Sequence, residues 1–139
     1  MNNKVYELEV AALTEKLPKV TEFVDLHLEE AGCSMKAQMQ IDIAVEEIFV
    51  NIAHYAYEPG TGNAVIRMAI KDNPLRAEIA FIDSGTPYNP LEKKDPDVTL
   101  SAEDRQIGGL GIYMTKKSMD DVTYEFKDGH NILTLVKNL

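Results

Sequence analysis

The order of strand-like and helix-like segments is the feature that most limits the folds open to this chain. The first, "KVYELEVAAL", alternates apolar and acidic residues with a period of two, as a half-buried strand does. Two segments of helical periodicity follow, then two strand-like segments, a long segment without periodicity, a third helix and a final strand pair. This order predicts an α/β protein of the α+β type, a two-layer sandwich with helices on one face of a mixed, mostly antiparallel sheet.

Capping and turn-forming residues predict where these elements begin and end. Thr14 is expected to cap a first helix that runs to Ala31, and Gly32 to end it. Ser34 is expected to open a second, longer helix that ends before "EPGTGN", and a third helix ends near Met119. The remaining strands should form two antiparallel pairs, "AVIRMAIKD" with "LRAEIAFID" and "DVTYEFKD" with "NILTLVKNL".

Length, charge and cysteine content narrow the class of protein. With 139 residues, of which 45% are apolar, the chain is expected to form a single domain over residues 1–139. Its net charge of -9 argues against direct binding of nucleic acid or of an anionic membrane. The single cysteine, Cys33, excludes an intrachain disulfide, and no apolar run reaches membrane-spanning length. A cytoplasmic protein is therefore expected.

A carboxylate and a carboxamide lie on the flank of the second helix. Residues sharing its apolar face, which should pack on the sheet, are Ile41, Ala44, Val45, Ile48, Ile52 and Tyr55. Glu47 and Asn51 are four apart, so they stack one turn above the other beside that face. Such a pair can orient a water molecule and ligate a hard cation such as Mg²⁺, and the alternative is a solvated helix edge.

Three glycines, Gly108, Gly109 and Gly111, stand immediately before the third helix. Backbone N–H groups at a helix N-terminus carry the positive end of the dipole, so a loop without side chains can fold around a phosphate there. The spacing matches neither the Walker pattern nor a dinucleotide fingerprint. A hinge or a tight helix–sheet contact therefore remains an equal alternative.

The stretch "AFIDSGTPYNP" carries a strand that ends at Asp83, with Gly85 two residues later. An aspartate in a pocket can accept a hydrogen bond from the amino group of adenine, and a glycine beside it lets the flat base approach the backbone. A strand-ending Asp-x-Gly is also a common turn. The segment 86–107 that follows is rich in proline and charge, and it is expected to form a lid.

Taken in order, "EEIFVNIAHYAY", "IDSGTP" and "GGLGI" resemble the N box and the two G boxes of the GHKL ATPase superfamily. That superfamily includes gyrase, histidine kinases and mismatch-repair ATPases, and it has the Bergerat fold. Within it, the short chain and the forms "DSGTPYNP" and "NIAHYAY" are most similar to the bacterial anti-sigma-factor serine kinases. The resemblance covers nearly the whole chain.

This resemblance implies a role for each matching residue. Glu47 becomes the general base, Asn51 the Mg²⁺ ligand and Asp83 the reader of adenine. The residues implied to line the base or surround the phosphates of ATP are Gly85, Arg105, Gly108, Gly109, Leu110 and Gly111. Of these, Arg105 would assist at the γ-phosphate. Two departures from the family pattern are that Thr86 and Pro87 follow Gly85, and that "GHNILT" leaves either Asn131 or Thr134 to contact the adenine site.

The activity implied is that of an ATP- and Mg²⁺-dependent serine/threonine protein kinase. Such a kinase holds a regulatory partner such as a sigma factor and phosphorylates an anti-sigma-factor antagonist protein, and a homodimer is also implied. A histidine kinase is disfavoured, because the surroundings of His27 do not resemble a phosphoacceptor helix, and His27 is expected at a helix surface. The alternative from another class is a nucleotide-dependent binding module that transfers no phosphate.

Overall fold

Five strands form one sheet that is covered on one face by three helices in the computed structural model, which describes residues 4–92 and 110–139. The strands are β1 (Lys4–Ala11), β2 (Asn63–Lys71), β3 (Arg76–Asp83), β4 (Asp121–Lys127) and β5 (His130–Asn138). The α-helices are α1 (Leu17–Glu30), α2 (Met35–Asn51) and α3 (Leu110–Ser118). Of the expected lid, 86–107, the part from residue 93 onward lies outside the described residues.

The strand order is β1-β2-β3-β5-β4, and each pair of neighbours in it is antiparallel. The two-layer α+β sandwich predicted from the sequence is confirmed. The mixed character expected of the sheet is wrong for the described strands, because no parallel pair occurs among them. After α3 the chain enters at the outer edge as β4, and the hairpin then brings β5 back between β4 and β3, running against both.

The core lies between the helices and one face of the sheet. Alternate residues of β2, from Ala64 to Ile70, point into it, as the period-two pattern requires. Val20, Val24 and Leu28 recur at every fourth position of α1 and are fully buried. The buried residues that α2 contributes to this core are Ile41, Ala44, Val45, Ile48 and Phe49.

One of the two predicted helix caps is present. The Ser34 hydroxyl oxygen accepts a hydrogen bond from the backbone N–H of Ala37 at 3.2 Å, which confirms it as the cap of α2. The prediction for Thr14 is wrong, because Thr14 begins a short 3-10 turn and its side chain caps neither that turn nor α1. Pro18 lies in the first turn of α1, where its missing N–H removes one donor that would need a partner.

The α2 helix does not continue regularly beyond Asn51 but passes into a π-helical turn, Ile52–Ala56. A π turn holds more residues than an α turn, so side chains after it leave the face they would otherwise share. Tyr55, expected on the core face, is accordingly 61% exposed. The predicted apolar face therefore extends only as far as Ile48, with Ile52 half-buried beyond it.

The prediction that His27 lies at the helix surface is also wrong. Its side chain is only 12% exposed, because the imidazole stacks on the ring of Tyr6 with centroids 3.6 Å apart. Tyr6 belongs to β1, and the ring of Phe23 makes an edge-type contact with the imidazole, with centroids 5.0 Å apart. No helix in the part of the chain that the structure describes is long and apolar enough to cross a membrane.

Candidate functional site

A cavity of about 600 Å³ lies between the end of α2, the end of β3, the beginning of β5 and the start of α3. Its apolar walls include Ile48, Ile52, Phe81, Ile112 and Leu133. Its polar lining residues include Asn51, Asp83, Tyr88, Tyr124 and Asn131. Apolar walls with a few placed polar groups, in a volume of this order, are typical of small-molecule sites.

Glu47 and Asn51 are joined on the flank of α2, as their spacing predicts. The side-chain nitrogen Nδ2 of Asn51 donates to Oε2 of Glu47 at 2.7 Å. Because the amide nitrogen faces the carboxylate, the amide oxygen Oδ1 is the end left for another partner. Among the described residues, Asn51 lines the cavity and Glu47 does not, and the hydrogen bond from Asn51 links Glu47 to the cavity.

The first turn of α3 passes directly against the carboxylate of Glu47. A Cβ atom placed on Gly111 would lie 2.0 Å from Oε1 and 2.1 Å from Cδ of Glu47, so only a residue without a side chain fits there undisturbed. Leu110 is the first residue of α3. Gly108, Gly109 and Arg105 lie outside the described residues, and their roles remain predictions.

Asp83 ends β3 as a buried carboxylate on the cavity wall, with an exposed fraction of 6%. Its Oδ1 accepts hydrogen bonds from the backbone N–H of Gly85 and from Nδ2 of Asn131, both at 2.9 Å. Within residues 4–92 and 110–139, no hydrogen bond is made to its other oxygen, Oδ2. An acceptor oxygen is thus left on the wall of a largely apolar cavity.

The turn after β3 is fastened to the end of α2. A Cβ atom on Gly85 would lie 2.2 Å from the carbonyl oxygen of Ala56, and the N–H of Thr86 donates to that oxygen at 2.8 Å. The hydroxyl of Tyr57 accepts from the N–H of Ser84 at 2.8 Å. Sequence reasoning did not find Tyr57, because the contact depends on where the π turn ends.

The structure separates the two last-strand candidates for the adenine site. Asn131 is buried on the cavity wall, whereas Thr134 is three residues further along β5 and points to the opposite face of the sheet. Only Asn131 reaches the cavity. Sequence reasoning also missed Tyr124 on β4, whose hydroxyl donates to Oδ1 of Asn131. The same alternation of residues, applied to β4, could have identified it.

The oxygen atoms that line the cavity suit one hard cation that is bound by the protein and a ligand together. Within the described residues no three His, Cys, Asp or Glu side chains are grouped so that they could hold a metal by themselves. Asn51 offers an amide oxygen on the cavity wall, which is a ligand that Mg²⁺ accepts, and phosphate oxygens commonly supply further ligands. The residues present therefore fit a Mg²⁺ ion that enters with a nucleotide.

A second pair of carboxyl groups, away from the cavity, joins α1 to α2. Oδ1 of Asp25 and Oδ1 of Asp42 are both buried, and neither atom has a hydrogen-bond partner within the described residues. Burial, together with the facing Asp25, raises the pKa of Asp42 to about 7. Burial also raises the pKa of the nearby Cys33 thiol. This pair is a feature of helix packing, and the cavity does not use it.

Comparison with known proteins agrees with this geometry. The family described as the histidine kinase-like ATPase domain matches residues 10–137, which is nearly the entire chain. The chain belongs to the histidine kinase-like ATPase family. Membership confirms the predicted superfamily and the predicted class of ATP-binding protein.

Several proteins similar in sequence to this chain are protein kinases by name. The serine/threonine-protein kinase BtrW of Bordetella bronchiseptica is 27% identical over 105 residues, which cover 76% of this chain and 73% of that protein. The serine-protein kinase RsbW of Listeria monocytogenes is 29% identical over 133 residues, covering 87% of this chain and 83% of that protein. RsbW of Listeria innocua is 28% identical with the same coverage. The predicted enzyme class, serine/threonine protein kinase, is confirmed by these relatives.

Proposed function

We propose that this chain is an anti-sigma-factor kinase that binds ATP with Mg²⁺ in the cavity and phosphorylates an antagonist protein on serine or threonine. The observation that carries the proposal is the position of the Glu47 carboxylate, fixed by Asn51 at 2.7 Å and pressed against Gly111 at the start of α3. A carboxylate held at the margin of a nucleotide-sized cavity is placed for general-base work.

Asp83 is the residue that recognises the adenine base. Its buried carboxylate accepts a hydrogen bond from the adenine amino group, and such charge-assisted bonds are about twice as strong as neutral ones. The family resemblance also assigns Gly85 to the lining of the base, although the space that a side chain at Gly85 would occupy is filled by the backbone of Ala56. Apolar walls, formed in part by Ile52 and Leu133, bury the ring system.

Glu47 and Asn51 have separate roles in phosphoryl transfer. Glu47 accepts the proton of the attacking hydroxyl as that oxygen bonds to the γ-phosphorus and the bond to the β-phosphate breaks, so that ADP leaves. Asn51 holds Oε2 of Glu47 through its nitrogen and offers its oxygen to the cation. Bound Mg²⁺ supplies charge neutralisation at the phosphates.

The remaining assignments rest on the family resemblance. The glycines Gly108 and Gly109 would surround the phosphates under the lid, and Arg105 would assist at the γ-phosphate. The regulatory partner would be a sigma factor, the substrate its antagonist, the assembly a homodimer and the location the cytoplasm. Each of these is part of the proposal.

Nucleotide-dependent capture of partners tests the proposed function. The purified chain is immobilised with ATP and Mg²⁺, or with ADP and Mg²⁺, and the proteins retained in each state are identified. We expect one retained set to change with the nucleotide and to include a protein that takes up label from γ-labelled ATP. A retained antagonist that takes up no label would instead favour a switchable binding module without phosphoryl transfer.

A further inference from the structure

The side-chain amide of Asn131 makes hydrogen bonds to three other segments around the cavity. Its Nδ2 donates to Oδ1 of Asp83 at 2.9 Å and to the carbonyl oxygen of Thr86 at 3.0 Å. Its Oδ1 accepts from the backbone N–H of Tyr88 at 3.2 Å and from the hydroxyl of Tyr124. Nδ2 also lies 3.4 Å from the carbonyl oxygen of Gly85, a longer third contact. An amide offers two hydrogens and two lone pairs, so the four shorter bonds use its full capacity.

Only one orientation of this buried amide satisfies its surroundings. Rotated by half a turn, its oxygen would face the Asp83 carboxylate and the Thr86 carbonyl, so that acceptors would meet acceptors. Its nitrogen would then face the N–H of Tyr88, a donor against a donor. The neighbours therefore fix which end of Asn131 points at Asp83, and at 6% exposure water cannot readily replace them.

Asn131 in turn decides which oxygen of Asp83 is available to a ligand. Oδ1 of Asp83 is taken by Asn131 and by the N–H of Gly85, whereas no hydrogen bond within the described residues is made to Oδ2. We infer that Asn131 is a positioning residue for base recognition, because it holds Asp83 so that Oδ2 is offered to an amino group of the ligand. This inference rests on the proposed function, since it requires a nucleotide in the cavity.

A fixed carboxylate discriminates between purines. The 6-amino group of adenine can donate to Oδ2, but a carbonyl oxygen at the same place would set an acceptor against an acceptor. A carboxylate free to rotate could turn away from that carbonyl, and the penalty would shrink. Asn131 removes this freedom, so the preference for a 6-amino purine depends on it.

Affinities for ATP and inosine triphosphate test the inference, because inosine triphosphate carries a carbonyl in place of the 6-amino group. Asn131→Asp keeps the size of the side chain but removes both donated hydrogens. We expect it to lose about tenfold to a hundredfold in ATP affinity and much less in inosine triphosphate affinity. We expect the loss to shrink as the pH is lowered from about 8 to about 6, because a proton shared by the two carboxylates restores a donor.

Two further variants keep the result interpretable. Asn131→Ala, which adds no charge, should show the same loss of preference. Tyr124→Phe removes one bond to the amide but keeps the bond to Asp83, and it should retain the wild-type preference. Equal losses for both nucleotides in the two Asn131 variants, with no change across pH, would show that Asn131 is only structural. A wild type that binds no ATP would overturn the proposed function, and this inference with it.

Discussion

The side chain of Asn51 donates to Oε2 of Glu47 across one turn of α2, at 2.7 Å. Because the nitrogen end of the amide is used in this way, its oxygen end is directed elsewhere, and Asn51 lines the cavity. One side chain thereby connects the candidate base to the candidate cation site. Changes at position 51 should therefore affect metal response and chemistry together.

Asn51→Ala should remove the Mg²⁺ dependence of ATP binding. Without an oxygen ligand from the protein, ATP should bind weakly and almost equally well with and without the cation. Titration calorimetry in Mg²⁺ and in a chelator measures this. Asn51→Asp, which keeps an oxygen, serves as the control and should retain a metal response. If Asn51→Ala responds to Mg²⁺ as the wild type does, this flank of α2 is only structural.

Asp83→Asn should weaken ATP binding by about tenfold to a hundredfold, because a hydrogen bond to a charged acceptor contributes roughly 1.5–3 kcal/mol. The variant is nearly the same size, so the cavity walls should be unchanged. Calorimetric titration of the folded variant gives the affinity, with thermal unfolding as a check on the fold. Wild-type affinity would mean that Asp83 only stabilises the turn after β3.

Gly111→Ala and Gly85→Ala form a matched pair with different expected outcomes. At Gly111 the added Cβ would meet the end of the flexible Glu47 side chain, so the carboxylate should shift and phosphoryl transfer should fall while the fold persists. At Gly85 it would meet the backbone of Ala56, with 2.2 Å to the carbonyl oxygen, so stability should fall.

Thermal unfolding and single-turnover transfer measured on both variants distinguish these effects. A Gly111→Ala protein with wild-type transfer would show that Glu47 need not stay where α3 holds it. A Gly85→Ala protein as stable as the wild type would contradict the close approach of the two segments.

Much of this fold could be predicted from the sequence because its signals are local. Apolar residues alternate with others along β2 and recur at every fourth position of α1, and these are the residues whose side chains are buried. The pairing of Glu47 with Asn51 follows from helix geometry alone. That Asn51 and Asp83 line the same cavity was implied by the family resemblance and could not be derived from spacing.

The errors arose where tertiary contacts override local preference. The π turn after Asn51 turned Tyr55 outward, and nothing in "NIAHYAY" by itself signals that turn. His27 has the local appearance of a surface residue but lies against Tyr6, which is distant in sequence. The role of Asn131 depends on strand register, because the pairing of β3 with β5 places it opposite Asp83.

Asp42→Asn should stabilise the protein at neutral and alkaline pH. The pKa of Asp42 rises from 3.8 to about 7 in the folded chain, so between these values the folded state binds a proton that the unfolded state has released. Wild-type stability therefore falls as the pH rises through this window and levels off above it. Asparagine resembles the protonated acid and can donate to Asp25, so the variant should lack this decline.

Urea unfolding at about pH 5, 6, 7 and 8 measures the effect as a difference in unfolding free energy that grows with pH. Glu46→Gln, an exposed change on the same helix, is the control and should follow the wild-type curve. Parallel curves for wild type and Asp42→Asn would show that the Asp25 and Asp42 carboxyl groups do not share a proton.

The most direct test of the central claim is phosphate transfer by Glu47→Gln. Glutamine keeps the size and hydrogen-bonding reach of the side chain but cannot accept the proton of the attacking hydroxyl. The variant should bind ATP and its partner normally and transfer phosphate about a hundredfold to ten-thousandfold more slowly. The measurement is the rate at which label from γ-labelled ATP appears on a bound antagonist, for the wild type and the variant side by side. Rapid labelling by the wild type with almost none by the variant is the result we predict, whereas equal labelling by both would contradict the assignment of Glu47 as the base.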